Sequence, residues 1–580
     1  MRRVGGGCRR RLIRPLLGLV LASTLIAGCT AMPPAPIVSS SGAATSALPG
    51  TDLKSAVVAV DNIAGGYNPH KIADQSTVTT ALGDLLLPSV FRTAADGNPV
   101  LDGNLMVSAR VTNASPYTVT YAVRSDASWS DGTPIDAADF VYLRNQMSSQ
   151  PGVIDAAGYR LISDITARAN GKVIQVTFSQ PCPGWRSLFA DLLPAHLLKD
   201  APGGWPGALA DSFPATAGPF DIKSVDAQGG DIVLERSDRY WGKPSVLDQI
   251  VLRKSAAQDA VDALRTGADQ ASLTQVDSAG LGLLHDLGAA VTLSPVPTGT
   301  MAAVLLRPTG TVLADPQVRG AVAAALDRTA LIAAGAGGGP SAGYRADSLV
   351  VPPSRPGYRP TVPAGRPAGA DPTTVSRLLT QAGYTQSAGL WGRDGQALRL
   401  AIAAPANREP YVGIAHAVQQ ELAAAGISAT VSTPTGTQLY DQQLVPATTS
   451  GGATSSGNPP GAEEIDILVG PQPVGGDPAT GLASWFGCPA NSGSTTLPAG
   501  PLGWCDPAQQ SAITAALTGD VALPDALSTV EPALWAENVE IPLFQVCEEL
   551  AIGRDVTGVS AGPPLVGPFD AAASWDRSNG

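Results

Sequence analysis

Side chains that carry chemistry are scarce in this chain. Four histidines, His70, His196, His285 and His416, are scattered over 580 residues, and none stands in a recognisable nucleophile or metal motif. The sequence holds no G-x-x-x-x-G-K-[ST] phosphate loop and no G-x-G-x-x-G dinucleotide fingerprint, and the bare G-x-S-x-G pattern occurs at Gly339 to Gly343 and Gly558 to Gly562. Nucleotide hydrolysis and hydride transfer lack their usual machinery, and a bare G-x-S-x-G match is weak without a strand-turn-helix setting, so a non-catalytic protein without metal or cofactor is expected. Basic charge is short as well, with 37 Lys and Arg against 49 Asp and Glu. Six of the arginines precede residue 29; without them 31 bases face 49 acids, a formal charge of −18, and nucleic acid is not expected as a partner. Beyond Gly28 no apolar run is long enough to cross a bilayer, and no repeat of fixed period is visible.

What is present begins with an export signal. Arg2, Arg3, Arg9, Arg10, Arg11 and Arg14 lead into an apolar run from Leu16 to Gly28, thirteen residues and too few to span a hydrocarbon core. Leu25-Ile26-Ala27-Gly28-Cys29 resembles the bacterial lipobox, in which the cysteine receives diacylglycerol and becomes the mature N-terminus. Residues 1–28 are thus expected to be a lipoprotein signal peptide, with Cys29 lipidated and the protein anchored to the outer face of the cytoplasmic membrane. Residues 29–53 are mostly Pro, Ala, Ser, Thr and Gly; with few large apolar groups, they read as a flexible tether. The seven Lys against thirty Arg carry the bias of a GC-rich, actinobacterial genome. Four cysteines remain, Cys182, Cys488, Cys505 and Cys547, and thiols outside the cell tend to pair. Cys488 and Cys505 flank a loop of sixteen residues rich in Gly, Ser and Pro and are the expected disulfide.

The folded part should start near Lys54, and its length of about 525 residues allows roughly two to four domains. Ala127 to Phe140, "ASWSDGTPIDAADF", looks at first like a calcium loop. Counted from Asp126, however, the sixth position is Asp131 where glycine is needed and the twelfth is Ala137 where a bidentate glutamate is needed. The alternation of Val119, Tyr121 and Val123 with polar neighbours predicts a half-buried strand instead, followed by a turn at Asp131-Gly132 and a helix capped by Asp136, with Asp139 in its first turn. Asp315-Pro316 and Asp371-Pro372 read as further helix starts: the first predicts a stripe through Val318, Val322 and Leu326 to about Ile332, the second a helix ending at Gly383. A third helix through Ile414, Val418 and Leu422 should stop at Gly426 before a strand of Ile427, Ala429 and Val431. The alternation is α/β construction. Ala334 to Ala370 and Pro446 to Ala462 read as surface insertions.

"TVTYAVRSDASWSDGTPIDAADFVYLRNQM", Thr118 to Met147, resembles the signature of family 5 solute-binding proteins, the peptide and nickel receptors of ABC importers. "GPFDIKSVDAQGGDIVLERSDRYWGKPSVLDQIVLR" from Gly218, "DPQVRGAVAAALDRTALI" from Asp315, "RLLTQAGY" from Arg377 and "IPLFQV" from Ile541 follow in the family's order. The segments "GGYNPHKIADQS", "SQPGVIDAAGYRLI", "LLPAHLLKDAPGG" and "FGCPA" are most similar to a mycobacterial lipoprotein branch linked to mannosylated phosphatidylinositols and lipoarabinomannan.

The resemblance implies a two-lobed α/β periplasmic-binding-protein fold of the cluster C type, with an extra domain in one lobe, a hinge between lobes and ligand in the cleft. The implied division is lobe I over residues 54–75, 215–298 and 540–570, the extra domain over 76–214, and lobe II over 299–539. A monomer is implied, taking a glycolipid or peptide-like ligand and meeting an ABC permease or an envelope-synthesis membrane protein. Family peptide receptors commonly place a Trp-containing segment before an acid-Pro pair that meets the peptide amine. Asp477-Pro478 fits the pair, whereas Pro471-Gln472-Pro473 stands where the Trp is expected. The ligand contacts implied are Tyr67, Asn68, Asp477, Trp485 and Phe486. Trp129, Asp131, Gly132 and Trp241 belong to framework and packing.

Overall fold

The computed structural model describes residues 53–577, except 368, 445–447, 451–452, 456–463, 489–490, 493–494 and 497–499. The signal segment, Cys29, the tether and most of the 446–462 insertion lie outside the described residues.

One ten-stranded mixed sheet runs through both lobes. Its order is Ser428–Ser432, Arg399–Ala403, Ile467–Pro473, Val291–Leu306, Glu540–Gly553, Ala271–Thr274, Ser55–Val60, Gln249–Lys254, Asp231–Arg236 and Phe220–Asp226. The two long central strands pair antiparallel from Val291 opposite Gly553 to Leu305 opposite Glu540, and the register slips between Pro297 and Met301. Proline removes ladder donors, and such a bulge bends the strand, so the break marks the place where one lobe gives way to the other. On one side of it Val296 and Leu550 pack with Val58, Phe220 and Ile250; on the other, Val304, Ile541 and Leu543 pack with Ile402 and Ile467. Strand Glu540–Gly553 contributes side chains to both of these cores.

A third core lies between residues 87 and 217. Its antiparallel sheet has the order Met106–Ala114, Tyr117–Val123, Val173–Phe178, Ile162–Arg168. Val119, Tyr121 and Val123 face inward as the alternation predicts, and helix Ala137–Ser149 packs Phe140, Leu143 and Met147 over them. Asp136 caps that helix and Asp139 returns the bond to the Asp136 N–H at 3.1 Å, a capping box. His196 Nε2 and Asp131 Oδ2 lie 2.7 Å apart, tying the turn to the 195–198 helix. Helix Thr77–Leu86 packs with the first lobe's core, so this third unit begins after it.

The stripe expected to run from Asp315 to Ile332 is two helices. Pro316–Ala325 ends at Leu326, whose ψ of 130° is extended, and Asp327 caps a second helix, Arg328–Ala336, by accepting from the Thr329 and Ala330 N–H groups. A second acid with cap geometry outweighed an unbroken apolar stripe. Helices Pro372–Gln381 and Tyr411–Ala424 form as expected, followed by Gly383 and Gly426 at positive φ. The 334–370 stretch departs from a surface insertion: Ala346, Leu349 and Val350 are buried. Its Ser348 hydroxyl and Leu349 N–H both donate to the buried carboxylate of Glu531, at 2.7 and 2.8 Å, which satisfies polar groups that would otherwise keep this segment in water.

Cys488 and Cys505 are joined, their Cα atoms 4.6 Å apart, while Cys182 and Cys547 are buried free thiols. The link confines a loop with a sequence separation of 17. Loop-closure entropy puts its worth at about 3 kcal/mol. The C488S/C505S variant is expected to lose about that much in urea unfolding; a loss under 1 kcal/mol would remove the loop from the stability account.

Candidate functional site

The seam between the third unit and the second lobe brings together the residues that the hinge must separate. One wall is the 150–160 stretch with Gly184; the other is the end of strand Ile467–Pro473 and helix Pro478–Phe486. Close approach depends on two glycines. A Cβ on Gly476 would sit 1.9 Å from Asp155 Oδ2, and one on Gly184 would sit 2.7 Å from Asp477 Oδ2. A hydrogen bond crosses the seam from the Ala157 N–H to Ser484 Oγ at 3.0 Å. Two cavities remain, of about 10 and 30 Å³, room for a water and no more. Asp155, Gln472, Asp477 and Phe486 line the first; Ile72, Gly152, Asp155, Arg160 and Trp485 line the second. A ligand larger than water fits between these two walls only if they part, as hinge motion in a two-lobed fold allows.

Asp155 holds the seam's electrostatics. Burial pushes its carboxyl up to about 7, Asp477 adds repulsion, and Arg355 opposes both. Arg355 itself donates to the Gly476 carbonyl at 2.8 Å and is lowered by its own burial. Gln472 is nearly fully buried, and its Nε2 donates to the Leu349 carbonyl at 2.7 Å. Its Oε1 has no hydrogen-bond partner, which leaves an acceptor in the first cavity's wall. Among the described residues no cluster of three or more His, Cys, Asp or Glu could hold a metal.

The structure gathers Asp477, Trp485 and Phe486 on one helix at this seam and leaves Tyr67 and Asn68 elsewhere. Asp477 Oδ2 accepts from the Thr480 N–H at 2.9 Å and the Thr480 hydroxyl at 3.0 Å, so the carboxylate caps its own helix. Trp485 Nε1 donates to Glu540 Oε2 at 2.8 Å, and Phe486 meets Trp504 edge to face at 6.3 Å. The Tyr67 hydroxyl donates to the Ile63 carbonyl at 2.9 Å, and its ring stacks on Phe213 at 6.3 Å. Asn68 is fully buried and accepts from the His70 N–H at 3.1 Å. In the closed form these contacts are internal, and Tyr67 and Asn68 line neither cavity. Asp155, Arg355 and Gln472 escaped sequence reasoning. A single Asp in "VIDAAG" or Arg in "PSRPG" carries no spacing signal, and only the strand substitution at 471–473 pointed to Gln472.

The model of bacterial extracellular solute-binding proteins, family 5 Middle, matches residues 104–464. The chain is 33% identical, over 97% of each chain, to "Probable monoacyl phosphatidylinositol tetramannoside-binding protein LpqW" of Mycobacterium tuberculosis (strain ATCC 25618 / H37Rv). It is 26% identical to the oligopeptide-binding protein OppA of Mycobacterium bovis (strain ATCC BAA-935 / AF2122/97), over 57% of this chain and 56% of that protein. Among solved structures, the oligopeptide-binding protein AppA from Bacillus subtilis with a nonapeptide is similar with a TM-score of 0.71 at 14% identity, covering 91% of this chain and all of AppA. Lactococcal OppA, closed on an endogenous peptide, is similar at 0.67 and 18% identity, covering 88% of this chain and 98% of that one.

Proposed function

Because the chain belongs to the family 5 extracellular solute-binding proteins, we propose that it is a binding lipoprotein, anchored through Cys29, that takes a mannosylated phosphatidylinositol or a related glycolipid intermediate into its cleft and regulates mannolipid and lipoarabinomannan synthesis. The end-to-end identity with LpqW carries this reading, since the oligopeptide-binding relative matches little more than half of its own length. The seam supports it chemically. Gln472 Oε1 and the carboxylates of Asp155 and Asp477 are acceptors, suited to the hydroxyl donors of a sugar, and Asp477 is already engaged as a cap instead of waiting for a peptide amine. A phosphate on an acidic protein needs a local cation, and Arg355 stands beside the cavity. Trp485 and Phe486 present aromatic faces for sugar rings once the cleft opens. Tyr67 and Asn68 remain candidates only on the opposite wall of an opened cleft.

The second reading, a receptor delivering oligopeptides to an ABC permease, is favoured by the OppA similarity. Calorimetric titration separates the two. Monoacyl phosphatidylinositol tetramannoside is expected to bind at micromolar affinity or tighter, and the same lipid without mannose more weakly. Tight binding of an oligopeptide pool with no response to the mannolipid would establish the importer reading instead.

A further inference from the structure

Lys71 is a lysine with almost no contact with water. Its side chain is 1% exposed, and its Nζ lies 3.0 Å from Asp441 Oδ2 and 4.0 Å from Asp74 Oδ2, with the Pro206 carbonyl at 3.3 Å. The two halves of this ion pair come from opposite sides of the hinge. Lys71 follows strand Ser55–Val60 of the first lobe, whereas Asp441 follows strand Ser428–Ser432 at the far edge of the sheet.

The pair is the centre of a larger insertion. Ile72 and Ala73 are buried in one core with Leu439, Tyr440 and Leu444. Arg408, also from the second lobe, donates to the Ala73 carbonyl at 2.9 Å. A Cβ on Gly436 would come within 2.7 Å of that same carbonyl, so the turn sits against bare backbone. Ile72 also donates its N–H to the Gly152 carbonyl at 2.9 Å, which ties the third unit to the same point. The 71–74 turn thus enters the facing lobe as a ligand would, with a cation, a carbonyl and an apolar side chain.

Burying two charges is costly unless they meet, and separating them inside a dry interface costs more still. Opening the hinge is different, because it returns both charges to water. The pair therefore favours the closed state only while Lys71 and Asp441 can reach each other, and removing one partner leaves a buried charge that hinge opening relieves.

We propose that Lys71 and Asp441 form a gate: an ion pair between the lobes that holds the binding cleft shut, so that ligand is admitted only when it breaks. The gate rests on the functional reading only in taking this cleft as the binding site, whatever the ligand. A pair that keeps most molecules closed also lowers apparent affinity by the fraction that is open.

Small-angle X-ray scattering of the purified, ligand-free protein tests the gate. A closed chain of this size should have a radius of gyration of about 24 Å. Asp441→Asn and Lys71→Met are each expected to raise it by about 1 Å through hinge opening, with amide exchange faster at 71–74 and 436–443 and circular dichroism unchanged. Lys71→Arg, which keeps the charge, should stay closed. A wild-type radius in both charge-removing variants, with only a lowered unfolding midpoint, would make the pair a structural contact and overturn the gate. So would failure of both variants to fold. No ligand enters the measurement, so its failure leaves the mannolipid reading standing, and failure of mannolipid binding leaves the gate standing.

Discussion

Lowering the pH from 8 to 5 is expected to stabilise this protein, against the usual behaviour of an acidic chain. Two glutamates on the long strand Glu540–Gly553 contribute most, and Asp61 and Asp155, each raised by burial to about 7, add to them. Glu540 is fully buried and burial pushes its carboxyl up to about 8, with Glu531 adding repulsion; Trp485 donates to one oxygen and the other has no partner. Glu548 is likewise raised to about 8 by burial, with Asp61 nearby and a hydrogen bond from the Thr77 hydroxyl. In the unfolded chain both titrate near the ordinary glutamate value of about 4.3. Between these values the folded state holds protons that the unfolded state has released. Stability contributed by each group is thus fully present below pH 4 to 5 and is lost as pH rises through 8. At about 1.4 kcal/mol per unit of difference, each group should contribute on the order of 3 kcal/mol between pH 8 and 5.

Urea midpoints across that range should rise as pH falls. Glu540→Gln, which keeps the shape and the bond from Trp485, should flatten the profile by its own share, on the order of 3 kcal/mol between pH 8 and 5. A midpoint that falls on acidification above pH 5, or a slope untouched by the substitution, would contradict the assignment. Below pH 4 the trend should reverse, because carboxylates held low by partners, such as Asp347 between Arg328 and Arg345, then take up protons.

Trp129→Ala should be the most damaging single change in the third unit, at about 4 kcal/mol. The indole is 1% exposed in the core that includes Tyr121, Phe140 and Phe189. Its Nε1 donates to Asp139 Oδ2 at 3.3 Å, and the same carboxylate accepts from the Asp136 N–H at 3.1 Å and the Ala195 N–H at 2.9 Å. Truncation would open a large cavity and also strip a donor from a buried acid already raised to about 6. Trp129→Phe separates the two effects. Keeping most of the volume but losing the N–H, it should cost roughly 1 to 2 kcal/mol. Equal losses in the two variants would mean that the hydrogen bond, and not the packing, dominates.

Much of the local architecture was legible in the chain itself. Alternation at 117–123 and the acids at 136 and 139 specify a strand and a capped helix through contacts within a few residues, so short-range pattern suffices. The same holds for the Asp-Pro helix starts and for the glycines at 383 and 426. The family, and with it the two-lobed fold, was also readable, because its motifs are runs of adjacent residues. Local pattern failed where two local rules competed, as at Leu326, where cap geometry at Asp327 split an unbroken stripe. It failed again at 346–350, which turns inward because Glu531, far along the chain, satisfies its polar groups.

The seam and the gate were decided by tertiary structure alone. Asp155 and Gly476, Asp477 and Gly184, and Lys71 and Asp441 meet across hundreds of residues, and no spacing rule relates them. Their chemistry comes from burial, which raises Asp155 and makes an unpaired Lys71 costly, and burial depends on how the lobes close. The sequence by itself determined which elements form and which family they compose. Hinge closure determined which charges lose their water, and therefore which residues can hold, admit or refuse a ligand.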